Sequence, residues 1–172
     1  EVLTAAGPRA IEKVNPGTMV QACDPATGVW TAKKVLHLLS YLYIGEMVAV
    51  QIGQIAIQAT GNHPFYVLRG ERLSSRSLPR DIPRKEPVFA GGGRWVEARD
   101  FKVGDVLKEK NGKGLTITGL SSRQEKVEVY NLDVEGGSNY AITEKGILVH
   151  NKAGLETLSP VGVKVYGRAA LE

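Results

Sequence analysis

The sequence predicts an all-β fold, and three observations carry that reading. Its apolar residues fall in short runs, several of them alternating, with strong turn signals between them. The runs are rich in β-branched residues, as in Val48-Ala49-Val50-Gln51-Ile52. A short pattern also occurs twice: Ile11–Val20 can be laid on Ala98–Leu107, with Val14 on Phe101, Gly17 on Gly104 and Met19-Val20 on Val106-Leu107. A duplicated all-β unit follows from that echo.

The elements come in order. Val2-Leu3-Thr4 precedes an Ala6-Gly7-Pro8 turn, and Pro16-Gly17 sits inside the Ile11–Val20 segment. Asp24-Pro25-Ala26-Thr27-Gly28 reads as a hairpin turn before Val29-Trp30-Thr31. Separate strand runs are then expected at Lys33–Tyr43, Met47–Ile52 and Ile55–Ala59, and another at Phe65-Tyr66-Val67. Gly91-Gly92-Gly93 reads as a flexible join. Trp95-Val96, Asp105-Val106-Leu107, Leu115–Thr118 and Val127–Val134 follow, with Asn111-Gly112 as a two-residue hairpin signal. Ile147-Leu148-Val149 reads as a buried strand that ends abruptly in His150-Asn151.

Length and composition bound the function. The 172 residues suit one domain with a core that needs no staples. No apolar window approaches the length of a membrane span. The single cysteine, Cys23, leaves no intramolecular disulfide and reads as a small packed residue rather than a nucleophile. His37 reads as an ordinary strand histidine, and three histidines without ligand spacing imply no metal or organic cofactor. The first residue is Glu1 rather than Met, so an excised piece of a longer parent is expected, and the parent's destination stays open.

The net charge of +4 has one source. Between Arg69 and Arg94 lie seven basic residues against three acids, which accounts for all of it. These arginines alternate with Pro79, Pro83, Pro87, Ser74, Ser75 and Ser77, so a solvated, partly disordered loop insert is expected, not a nucleic-acid surface.

The residues that carry chemistry stand at two points. An Asn side-chain amide can attack its own backbone carbonyl, close a succinimide ring and break the bond to the next residue. A preceding His is a suitable proton donor near neutral pH, so His150-Asn151 is a candidate peptide-bond breaker. Thr60 and His63, separated by two residues across a turn, can point at one spot.

Together these pieces resemble the Hint superfamily, which includes inteins, hedgehog autoprocessing domains, bacterial intein-like domains and the pretoxin Hint domains of polymorphic toxins. Thr60-Gly61-Asn62-His63 looks like the family's Thr-x-x-His motif. Val103-Gly104-Asp105-Val106-Leu107 is similar to its "-VGD-VL" segment, Val129–Glu135 resembles the penultimate motif, and Gly146–Asn151 the terminal one. The match runs from about residue 1 to Asn151, so residues 1–151 form the expected domain and 152–172 a downstream flank, whose final Leu171-Glu172 resembles a vector scar.

The resemblance implies a compact, pseudo-twofold, horseshoe-shaped all-β fold and a single-turnover, self-cleaving activity. Thr60 would polarise the upstream peptide and His63 would protonate its leaving nitrogen. Asn151 would cyclise with help from His150 and break the bond to Lys152. The expected partners are the chain's own flanks in cis, with a toxin effector as a candidate downstream flank, in a monomer from a secreted or exported bacterial parent. Three departures matter. No Cys or Ser begins the chain to make the acyl shift. The penultimate motif's Asp falls at Asn131, and its helper His at Ser138 or Asn139. Lys152 cannot accept an acyl chain, so splicing is not expected, and no homing endonuclease has room. A degenerate Hint fold serving as a spacer or binding module is the alternative.

Overall fold

The computed structural model describes residues 1–24, 27–80, 82, 92–136 and 139–151, together with the backbone of 163–166. The described residues form one extensive β-sheet with three short 3-10 turns. Its strands are β1 (Val2–Thr4), β2 (Gly7–Arg9), β3 (Met19–Cys23), β4 (Trp30–Ile52), β5 (Ile55–Thr60), β6 (Pro64–Arg69) and β7 (Arg94–Glu97). Then come β8 (Val106–Leu107), β9 (Leu115–Thr116), β10 (Gly119–Val134), β11 (Asn139–Ile142), β12 (Ile147–His150) and β13 (Val163–Tyr166). The all-β expectation holds.

The repeated sequence pattern is a repeated structure. Ile11–Lys13 and Ala98–Asp100 are both 3-10 turns. The Val14 amide bonds to Ile11 O at 3.1 Å, and the Phe101 amide to Ala98 O at 3.2 Å. Gly17 and Gly104 share the left-handed φ of 93° and 97°, which glycine adopts without steric cost. The amides of Thr18 and Asp105 reach back to Asn15 O and Lys102 O, each at 3.0 Å. Both units then dock on a later strand or loop: Val35 N bonds to Thr18 O, and Ile117 N to Asp105 O, each at 2.8 Å. One local solution has been used twice.

Three sequence expectations change. Lys33–Tyr43 and Met47–Ile52 are one continuous strand, the 23-residue β4, which bends into no turn at Gly45. The reason is its partner: β10 pairs with it from Val35 to Gln51, and Glu125 sits opposite Gly45. Likewise β10 begins at Gly119, well before Val127. The Asn111-Gly112 signal lies in a longer link between β8 and β9, where the Glu109 carboxylate accepts from the amides of Asn111 and Lys113, both at 3.2 Å.

The Arg/Pro segment is more ordered than a solvated loop where it is described. Arg76 is buried in a two-pronged pair with Asp105, at 2.5 and 2.7 Å. Arg94 starts β7 and donates to Leu73 O, Arg76 O and Ser77 O at 2.7–3.1 Å. These guanidiniums donate to the loop carbonyls of Glu71, Leu73, Arg76 and Ser77. Gly93 is held to glycine, since a Cβ there would meet Val67 O at 2.3 Å. Residues 81, 83–91 and the Pro25-Ala26 pair lie outside the described residues.

Two apolar clusters flank the sheet. The larger includes Val2, Val20, Phe65, Phe101, Ile147 and Val149; the smaller comprises Cys23, Tyr66, Trp95 and Leu148. Strand alternation explains the split, because neighbours on β6 and β12 point to opposite faces. Cys23 is buried, as its sequence context suggested.

Candidate active site

The site is made where β5, β6 and β12 meet. Thr60 ends β5, fully buried, and the chain turns at once so that the His63 amide bonds to Thr60 O at 2.9 Å. Other elements bolt this turn in place. Gly61 N donates to Glu46 O on β4 at 2.8 Å, while Gly61 O accepts from the Arg99 amide at 2.8 Å and its Nε at 3.2 Å. The Ala98 amide donates to His63 O at 3.0 Å. The second copy of the repeated turn thus carries the latch on Thr60–His63.

His63 is fully buried, its ring edge-on to Phe65 at 5.4 Å, and Phe65 in turn meets Phe101 at 5.2 Å. Among the described residues neither of its ring nitrogens has a hydrogen-bond partner. Burial first, and the neighbouring His150 second, pull its pKa from 6.5 down to about 3. At neutral pH it is the neutral imidazole, able to accept at one nitrogen and donate at the other. It must first take up a proton before it can protonate a leaving nitrogen.

The terminal motif is delivered by pairing. Val149 lies opposite Phe65, so β12 runs antiparallel to β6 with its end directed at the Thr60–His63 turn. Gly146 enables the preceding turn: its φ is 74°, and a Cβ would approach Lys110 Cβ at 2.8 Å. Along β12, Leu148 and His150 face the Trp95 side, while Ile147 and Val149 face the larger core. Asn151 follows immediately, and both His150 and Asn151 are buried at 2% exposure. Trp95, which the sequence reading treated only as part of a strand, packs edge-to-face on His150 with centroids 4.9 Å apart.

The helper positions divide. Asn131 is buried on β10, and its Oδ1 accepts from Tyr140 Oη at 2.8 Å and from the Leu132 amide at 2.9 Å. Asn139 lies across the ladder from His150, but its amide is turned to Cys23, accepting from that residue's N at 2.9 Å and donating to its O at 2.8 Å. Ser138 and Lys152 lie outside the described residues. Arg99, Trp95 and Tyr140 are the supports that sequence reasoning missed; only contacts distant in sequence reveal them.

The arrangement can be set beside known proteins. A family model described as the pretoxin Hint domain matches residues 81–152. The bacterial intein-like domain from Clostridium thermocellum shares 29% identity, with a TM-score of 0.67 over 87% of this chain and 93% of that one. The chain is thus similar to Hint-superfamily domains, in sequence over residues 81–152 and in fold over most of its length. A DnaB intein from Synechocystis sp. PCC 6803 has a TM-score of 0.60 at 18% identity, covering 88% of this chain and 93% of that one. The DnaX mini intein from Spirulina platensis has a TM-score of 0.58 at 18% identity, covering 87% and 94%. At those identities the two inteins support the fold. No curated protein matches the sequence. An intein-like fold supports an autoprocessing-type domain in general.

Among the described residues no cluster of His, Cys, Asp and Glu could hold a metal ion, and no helix is long and apolar enough to cross a membrane.

Proposed function

We propose that this Hint domain cleaves its own chain once, between Asn151 and Lys152. The Asn151 Nδ2 attacks the Asn151 carbonyl carbon, the succinimide ring closes, and the bond to the Lys152 nitrogen breaks. The attacking amide loses a proton and the departing amine gains one, with His150 as the group that assists. One observation carries the reading: the Val149–Phe65 register directs His150-Asn151 at the Thr60–His63 turn. Burial of both residues supports it, because a water-poor site strengthens every dipole aimed at the reacting carbonyl. Thr60 and His63 act on an upstream peptide, and Asn131 and Ser138 are secondary helpers. The pretoxin likeness extends the proposal: the released downstream polypeptide is a toxin effector and the parent is exported from a bacterium. Lys152 lacks the hydroxyl or thiol that splicing requires, so release is the outcome.

The test is intact mass under denaturing conditions, followed over days across pH 6–8, for the full chain and for Asn151→Ala. Loss of the piece beginning at Lys152 from the parent alone is expected. Identical, undiminished masses for both proteins would sink the proposal.

A second reading, a Hint fold retained as a structural module, draws on the helper positions. Asn131 is uncharged and held by Tyr140, and the Asn139 amide is committed to Cys23. Asn151-dependent release would dismiss it.

A further inference from the structure

Downstream of the proposed scissile bond, the chain returns to the domain as a strand. β13 runs antiparallel to β5, with Val163 opposite Ala59, Lys164 opposite Gln58, Val165 opposite Ile57 and Tyr166 opposite Ala56. The other edge of β5 is filled by Met47–Ile52 of β4. Val163 also pairs with Tyr130 of β10, so β13 bridges two strands that, among the described residues, are otherwise joined through β4. A bare strand edge presents a row of N–H and C=O groups that favours addition of one more strand. The occupant of this edge is the chain's own residues 163–166.

None of these ladder contacts involves the Asn151–Lys152 bond. We propose that the downstream segment stays seated on β5 after the chain is cut, so that cleavage and release are separate events. This rests on the cleavage reading above. While the chain is whole, residues 152–162 tether β13 and keep its effective concentration high. After the cut the strand pairing alone retains it, and retention becomes reversible and sensitive to dilution. The position has a consequence for the site: Ala59 directly precedes Thr60, so the docked segment borders the strand that ends in the Thr60–His63 turn.

The experiment uses the full chain carrying Asn151→Ala, with a site-specific protease sequence inserted between Gly154 and Leu155. After protease treatment, denaturing mass shows two pieces, and gel filtration with native mass spectrometry is expected to show them as one species. Two separate species under native conditions would overturn the proposal. A double variant, Lys164→Pro with Val165→Pro, removes two consecutive amide donors, which point to opposite strand edges, so one of them faces β5. Its cut form is expected to lose the piece with affinity lowered by roughly tenfold or more. Retention unchanged by the prolines would overturn the strand as the attachment. Because a protease makes the cut, the result does not depend on whether Asn151 cyclises; the wild-type mass series reports that separately.

Discussion

The Trp95 indole meets the His150 imidazole edge-to-face, with planes at 89° and centroids 4.9 Å apart. Tyr66 also meets Trp95 edge-on, at 5.2 Å and 90°. The residue that precedes the proposed scissile asparagine is thereby held by an aromatic stack spanning β6, β7 and β12. A side chain locked in this way need not be reoriented as the amide attacks.

Replacing Trp95 by Leu is therefore expected to slow Asn151-dependent cleavage between about twofold and about tenfold, the range that an aromatic pair accounts for. Trp95→Phe should retain most of the rate, because an edge contact survives. Time courses by denaturing mass, with thermal melts to confirm folding, check both. Equal rates for the Leu and Phe variants would show that the stack serves packing alone.

His63 makes stability depend on pH. In the unfolded chain its imidazole binds a proton near 6.5, whereas burial and His150 delay that in the fold to about 3. Between those values the unfolded state binds more protons, so stability is full above about pH 6.5 and falls as pH drops toward 3. His63→Gln should flatten this limb by up to about 1.4 kcal/mol per pH unit. Urea titrations of both proteins between pH 4.5 and 6.5, above most carboxylate titration, give the difference directly.

Asn139 makes its paired hydrogen bonds to Cys23 where a side chain stands in for a strand partner, joining β11 to β3. Asn139→Ala leaves a buried amide and a buried carbonyl unmatched. The expected loss is about 2–4 kcal/mol, from two groups at about 1–2 kcal/mol each. Chemical denaturation measures it. Asn139→Asp keeps the acceptor but sets a carboxylate oxygen against Cys23 O, so it should be no better tolerated.

The parts of the fold legible in sequence are those fixed locally. The repeated pattern that sets Gly17 on Gly104 could be read because it depends on a few neighbouring residues, although its 3-10 turn and left-handed glycine came from the structure. So could the strand end at His150. The continuity of β4 through Gly45 could not, since its ladder is supplied by Glu125 and its neighbours on β10. Nor could the supports of the site: Arg99 reaches Gly61 across 38 residues, and Trp95 finds His150 only after β6, β7 and β12 have paired.

The Asp of the Val-Gly-Asp motif has a structural task that composition concealed. Asp105 accepts from the Lys102 amide at 2.9 Å, as Thr18 Oγ1 does from Asn15 N in the first copy at 3.3 Å. It also holds the guanidinium of Arg76, with side-chain exposures of 1% and 6%. Removing one partner strands a buried charge, so Asp105→Asn and Arg76→Met should each cost about 3–5 kcal/mol. The double variant should lose less than the sum of the two, because the second change removes the charge that the first left unpaired. Denaturant midpoints of the three proteins decide it. Additive losses would mean that Asp105 acts through the Lys102 amide and that Arg76 holds the loop by its other bond, to Glu71 O.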